Sequence, residues 1–520
     1  MTLDKEILSQ LTEIFKMLEN PVEFHVYVPK DNDKGKEMME FVRAFCTTSP
    51  LLSYTVENTD NEVCEFSLFN AGNPTRITFR GIPGGHEFNS LLMAIINSDG
   101  KGKNLPDEAT RKRIKALRGP IQLTTVVSLS CTNCPDVVQA LDIIAILNEG
   151  VTHTIVDGGA YPKFADKLGV QAVPSVFTQS GLLSVGRAAL GELLDKLEAT
   201  FGYNLPDETL AESTAKHFDI LVLGGGPAGV AAAIYGARKG LTVGVVARDA
   251  GGSVSQTGAI DNLITTRSTD GDTLAVELKG NAAYYGVQIY DNRTVKEVSI
   301  NDKEKQILTT SGEKFASERL IIATGATPRH LGVAGEQEYT GRGVAFCPHC
   351  DGPYFKGKDV IVVGGGNAGI EAAIDLAGLC RHVTVVEFLP EMKADKVLID
   401  RMKSLPNVEA HCNRQVVEIV GDGKKVTSVI VKDRDTDKSN ILPVDGVFIQ
   451  IGTVPNSDLF TDKLEINKRR EIVTDRNCRT NVEGVYAAGD VATSPYKQIV
   501  VAVGEGAIAA LSAFDDMLRK

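Results

Sequence analysis

An α/β fold class in four parts is what the sequence predicts, on three observations. Two blocks at the start repeat one order of β-rich run, turn and helix, and share a word, Asn104-Leu105-Pro106-Asp107-Glu108 and Asn204-Leu205-Pro206-Asp207-Glu208. Further on, a buried-strand run twice feeds a Gly-x-Gly-x-x-Gly loop and an apolar helix, at Phe218 to Arg238 and at Asp359 to Leu379. Strand-turn fragments, Ile321 to Ala326 and Val485 to Asp490, lie on either side of the second loop. One of the two loop-bearing domains is therefore expected inside the other.

Size and charge agree with several compact units. At 520 residues the chain is too long for one ordinary core. With 43% hydrophobic and 23% charged residues it has a globular composition. Its 67 acidic against 55 basic side chains leave a net charge of −12, which disfavours nucleic acid and anionic lipid as partners. The opening Met1-Thr2-Leu3-Asp4-Lys5-Glu6 is charged where a signal peptide turns apolar. The longest uncharged runs, Leu168 to Gly186 and Ile220 to Ala237, are broken by polar residues, glycine or proline. A cytoplasmic location is expected.

In the first block the strand Val22 to Val28 leads to Pro29-Lys30-Asp31-Asn32, which offers no thiol. In the second, the strand Leu123 to Leu129 leads to Ser130-Cys131-Thr132-Asn133-Cys134-Pro135 and a helix from Asp136 to Leu147. Ile77 to Pro83 in the first block is read as the echo of Val173 to Phe177 in the second, where Pro174 is a candidate cis proline. The run Arg111 to Lys115 reads as a solvated helix face. Glu87 reads as a solvated carboxylate, the competing reading being that it tunes the neighbouring unit's thiol. Tyr203 to Lys216, small and polar, reads as a linker.

The glycine loops carry specific chemistry. Gly224 allows a tight turn, Gly226 lets backbone approach a pyrophosphate, and Gly229 lets helix and strand pack; Gly364, Gly366 and Gly369 repeat the set. Two such loops imply two dinucleotides. In the second copy Val386 leads to Glu387, placed for a ribose 2′-hydroxyl, with no arginine in Phe388-Leu389-Pro390-Glu391 to offset it. Repulsion of a 2′-phosphate there costs about 1 to about 4 kcal/mol, so NADH should beat NADPH roughly tenfold or more. In the first copy Arg248 stands where an acid is expected, leaving Asp249 or no residue for the ribose. Thr324 and Gly325 in the first fragment, and Gly489 and Asp490 in the second, belong with the first loop.

Nine cysteines are too sparse for a disulfide scaffold, and four form two Cys-x-x-Cys pairs, Cys131/Cys134 and Cys347/Cys350. Four-cysteine zinc sites usually close over a shorter span. Cys46, Cys64, Cys380, Cys412 and Cys478 are solitary, read as small buried hydrophobes. Cys131, near the start of its helix, is expected to be an attacking thiol. Asp351, next to Cys350, is a candidate proton source.

The order of glycine loop, Ala-Thr-Gly, Cys-Pro-His-Cys-Asp, second glycine loop and Ala-Ala-Gly-Asp resembles the low-molecular-weight thioredoxin reductase group of flavoproteins. The added N-terminal region narrows the resemblance to the flavoprotein reductase subunits of bacterial alkyl hydroperoxide reductases. It implies two tandem thioredoxin-like units, 1–108 without and 109–202 with a Cys pair, and a linker over 203–216. A thioredoxin reductase-like pair of Rossmann-like domains would follow, an FAD-binding domain of 217–330 and 452–520 and an inserted NAD-binding domain of 331–451. It further implies that electrons pass from NADH to FAD, with Cys350 against the flavin, Cys347 as the interchange thiol and Asp351 as a general acid. Cys131 and Cys134 would then collect them for the disulfide of a peroxiredoxin. A homodimer is also implied. The alternatives are a thioredoxin or general protein disulfide reductase, and a flavin-bound redox sensor that turns nothing over.

Overall fold

The computed structural model describes residues 4–30, 32–60, 62–102, 105–131, 133–170, 172–204, 215–256, 259–260, 263–267, 269–340, 342–346 and 348–519. The chain divides into two compact units, Met1–Asn204 with His330–Ile451, and Leu205–Arg329 with Gly452–Lys520.

The N-terminal strands are β1 (Val22–Pro29), β2 (Leu52–Thr59), β3 (Glu65–Asn70), β4 (Asn73–Arg80), β5 (Ile121–Val127), β6 (Val151–Asp157), β7 (Ser175–Thr178) and β8 (Gly181–Val185). They form one eight-stranded sheet in the order β2-β1-β3-β4-β6-β5-β7-β8. The topology is the same twice. β1 pairs parallel with β2 and antiparallel with β3, which pairs antiparallel with β4; β5 relates to β6, β7 and β8 in the same way. Parallel pairing of β4 with β6 joins the halves. Strand alternation does the sorting: in β1, Val22, Phe24, Val26 and Val28 are buried while the residues between them are half-buried. Phe24, Phe45 and Phe66 pack there with ring centroids 5.3 to 5.7 Å apart, and one core runs under both halves.

This topology corrects the proposed echo. Val173 to Phe177 leads into β7, whose counterpart is β3, whereas Ile77 to Arg80 lies in β4, the counterpart of β8. The shared word does start a helix in its first copy, where Asp107 caps Glu108–Ala116 by accepting from the Thr110 N–H. Leu205 to Glu208 of the second copy lies outside the described residues. The basic run is only partly solvated, since Arg113 is buried and forks onto Glu198 at 2.7 and 3.0 Å and Asp195 at 2.5 Å. The ends of the expected linker are structured. Tyr203 bridges Leu117, and Lys216 opens the strand Lys216–Leu223.

The same compact unit contains a parallel five-stranded sheet in the order Val344–Ala345, Gly446–Ile449, Asp359–Val363, His382–Val386, Val408–His411. A three-stranded antiparallel sheet of Arg414–Gly421, Val426–Asp433 and Ser439–Pro443 follows its last strand. In the second unit Lys216–Leu223 lies between the parallel strands Val243–Val246 and Lys314–Ile322, and Val485–Ala487 joins parallel to the latter. Helix Pro227–Arg238 packs closely on the C-terminal helix Ile499–Leu518, where a Cβ on Gly506 would lie 2.0 Å from the Ala228 carbonyl oxygen.

Candidate functional site

Both glycine loops have the same construction. Gly224 has φ +115° and Gly364 φ +125°, and a Cβ on either would fall 2.1 Å from a carbonyl oxygen, of Ala323 and Gln450 respectively. The third glycines are equally constrained: a Cβ on Gly229 would meet the Gly224 carbonyl oxygen at 1.9 Å, and one on Gly369 the Gly364 oxygen at 2.0 Å. The middle glycines differ in kind. A Cβ built on Gly366 has no neighbour within 4 Å and one on Gly226 none closer than 3.8 Å, and each glycine is the cap before a helix, Pro227–Arg238 or Asn367–Ala377. Open space before a positive helix end forms a cradle that fits a pyrophosphate.

Glu387 is buried beside the second loop. Its carboxylate accepts from the Gly365 N–H and, at 2.7 Å, from the Leu389 N–H, with lone pairs left for a hydroxyl donor. The fold also brings an arginine that local sequence did not suggest: the Arg434 guanidinium lies 3.8 Å over the Phe388 ring and donates to the Phe388 carbonyl at 2.7 Å.

Register corrects the reading of Arg248. The Gly224 N–H donates to Val246 as the Gly364 N–H donates to Val386, so the counterpart of Glu387 is Ala247, and Arg248 corresponds to Phe388. Arg248 is exposed, while the Asp249 carboxylate accepts from the Ser255 hydroxyl at 3.3 Å.

Thr324 and Gly325 follow the strand Lys314–Ile322 and form a lock with Asn456. The Thr324 hydroxyl donates to the Asn456 carbonyl and the Asn456 amide returns to the Thr324 carbonyl, both at 2.8 Å. Gly489, at φ +77°, donates its N–H to Glu505 at 2.8 Å. Burial pushes the adjacent Asp490 carboxyl up, opposed by Lys497.

Helix Cys134–Leu147 starts at the second thiol of its pair, with Pro135 in the first turn. Cys131 and Cys134 are free thiols, 1% and 0% exposed. The Cys134 N–H donates to the Cys131 sulfur at 3.2 Å, while the Cys131 thiol faces the Val173 carbonyl at 3.8 Å, next to the cis bond to Pro174. Burial pushes the Cys134 thiol well up, with Cys131 and Glu87 adding to the effect. A Cys131 sulfur that accepts an amide and a Cys134 held protonated fit an attacking and a resolving thiol.

Glu87 is not solvated. It is 1% exposed at the start of Glu87–Ile96, a helix that packs on Cys134–Leu147, and neither carboxylate oxygen makes a hydrogen bond of normal geometry. Burial raises its pKa to about 8, with Asp142, Asp136 and Asp157 adding to the shift and only Ser90 opposing it. The tuning reading is the one that the geometry favours.

Cys347 lies outside the described residues. Cys350 sits by its backbone in the short helix Pro348–Asp351, and Asp351 is 7% exposed. The chain continues through the 3-10 turn Gly352–Phe355, which carries Tyr354 onto the thioredoxin-like core. No group of histidine, cysteine or acidic side chains able to hold a metal ion occurs among the described residues. No described helix is long and apolar enough to cross a membrane.

Paired cradles for dinucleotides and a buried dithiol at the head of a helix define a disulfide oxidoreductase. Residues 218–506 match the pyridine nucleotide-disulphide oxidoreductase family and residues 123–199 match a thioredoxin domain. The chain is similar to the alkyl hydroperoxide reductase F subunit of Pseudomonas putida, 42% identical over 520 residues with 99% of each chain covered. It is equally similar to a Bacillus subtilis protein named NADH dehydrogenase, 42% identical over 520 residues with 100% of each covered. The thioredoxin reductase of T. acidophilum is a structural neighbour at 39% identity and TM-score 0.54, over 58% of this chain and 99% of that one. The chain belongs to the pyridine nucleotide-disulphide oxidoreductase family and, within it, to the alkyl hydroperoxide reductase F subunits. It is an oxidoreductase of a family that uses flavin and pyridine nucleotide.

Proposed function

We propose that the chain is an NADH-dependent, FAD-carrying disulfide reductase that delivers two electrons to the active-site disulfide of a peroxiredoxin, acting in the cytoplasm as a homodimer. The observation that carries this reading is the buried Cys131/Cys134 pair on a thioredoxin-like helix, in a chain that matches an alkyl hydroperoxide reductase F subunit along 99% of its length.

The residues fit both dinucleotides. Gly224, Gly226 and Gly229, with Thr324, Gly325, Gly489 and Asp490, would hold FAD; Gly364, Gly366, Gly369 and Glu387 would hold NADH. When bound, the nicotinamide supplies a hydride and the flavin turns it into two electrons for a disulfide. Cys347 and Cys350 would form the first dithiol, and Asp351 would hold the proton that a departing thiolate needs. The Cys131 thiolate then attacks the peroxiredoxin disulfide, and Cys134 closes on Cys131 to release the partner as a dithiol. One S–S bond opens in the partner as one forms here, and two electrons leave the chain with two protons.

A Cys134→Ser variant tests this. It should trap the peroxiredoxin as a mixed disulfide on Cys131; recovery of no such adduct from a mixture with the oxidised partner would overturn the assignment. Thioredoxin offered in competition separates this reading from a general disulfide reductase.

A further inference from the structure

Tyr354 follows Cys350 by four residues, through a short helix and a 3-10 turn that rise about 1.5 to 2 Å per residue. Its ring packs on two hydrophobic cores at once. One is the thioredoxin-like core and the other is the core under the parallel sheet, which holds Val360 and Val362. At the thioredoxin-like side it meets the loop after β6, where a Cβ on Gly158 would come within 3.1 Å of the Tyr354 hydroxyl. Burial, then Cys134, Cys131, Asp157 and Asp351, push its phenol up, so it stays neutral beside the thiols. A second contact flanks the first: Gly169 faces Arg342 and the Lys424 carbonyl, at 3.7 and 3.6 Å from a built Cβ.

We propose that the Tyr354 ring is the seat on which the thioredoxin-like module docks to be reduced, a positioning residue for exchange between the Cys347/Cys350 dithiol and the Cys131–Cys134 disulfide. The proposal rests on the relay described above. In that exchange a thiolate of the first pair attacks one sulfur of the Cys131–Cys134 bond, which breaks. The remaining thiol of the first pair then closes on the mixed disulfide. One S–S bond is lost and one gained, and the protons given up by the first pair end on Cys131 and Cys134. Gly158 lacks a side chain where the ring arrives, and the Cys350 backbone lies within about 8 Å of helical rise from the Tyr354 backbone. Docking through this ring therefore sets the backbone that carries Cys350 against the face of the thioredoxin-like module that holds Cys131 and Cys134.

The experiment uses the full-length, flavin-loaded, oxidised chain. It is mixed anaerobically with NADH and quenched with iodoacetamide at intervals, and label on the Cys131/Cys134 peptide is counted by mass spectrometry while flavin bleaching is followed. Tyr354→Ala should label that peptide at least tenfold more slowly with bleaching unchanged, and Tyr354→Phe should restore the wild-type rate. Wild-type labelling in Tyr354→Ala, or a Tyr354→Phe variant as slow as Tyr354→Ala, would overturn the proposal. If Tyr354→Ala loses its flavin, Gly158→Ala decides from the other side of the contact: slowed labelling supports the seat and wild-type labelling overturns it. A wild-type chain that never labels at this peptide would overturn the relay itself, a distinguishable result.

Discussion

Glu87 and Cys134 come from different halves of the duplicated N-terminal fold, yet the buried Glu87 carboxyl helps to hold the Cys134 thiol in its protonated form. The half without a Cys-x-x-Cys pair thus supplies a carboxyl to the half that has one.

Glu87 should make stability depend on pH with a definite sign. Its folded pKa of about 8 lies above the ordinary 4.5, so the native state binds the extra proton between these values and stability falls as pH rises through that window. Glu87→Gln should flatten the fall, measured as urea midpoints from pH 5 to pH 9. An unchanged slope would show that another group is responsible.

Cys131→Ser and Cys134→Ser should each keep NADH-dependent flavin bleaching and lose peroxiredoxin-linked turnover. Full turnover in either, in a coupled peroxide assay, would make the N-terminal pair dispensable.

Glu387→Ala should narrow the preference for NADH over NADPH by roughly tenfold, because it removes a repulsion of about 1 to about 4 kcal/mol from a 2′-phosphate. Arg434, stacked on Phe388, should then be free to attract that phosphate, and the double variant with Arg434→Ala should bind NADPH less tightly than Glu387→Ala alone. Titration by quenching of flavin fluorescence reads both.

Gly369→Ala should cost more than Gly366→Ala. The first Cβ strikes a backbone oxygen at 2.0 Å, an overpacking that costs about 1 to 3 kcal/mol or more, while the second enters open space. Gly366→Ala should instead weaken nucleotide binding with little change in melting temperature, as calorimetry with and without NADH would show.

What sequence made legible was local. The glycine loops, the helix behind Cys134 and the cis bond before Pro174 each depend on neighbours within a few positions, and all stand where expected. What it hid is carried through space. Glu87 reads as solvated until Glu87–Ile96 packs on Cys134–Leu147; Arg113 reads as surface until Asp195 and Glu198 close on it. Arg434 lies far in sequence from Phe388, and a one-residue difference in strand length put Arg248 in the place of Ala247. Tyr354 carried no signal because a tyrosine after Asp-Gly-Pro reads as an ordinary turn residue.

The seam between β4 and β6 has an evolutionary cost attached to it. A descendant that discarded the half without the cysteine pair would leave β6 as a raw margin of unpaired amides and carbonyls, open to adhesion between molecules, and would strip the lid from a buried face. That half is thus kept in place by the sheet itself, whatever becomes of its chemistry.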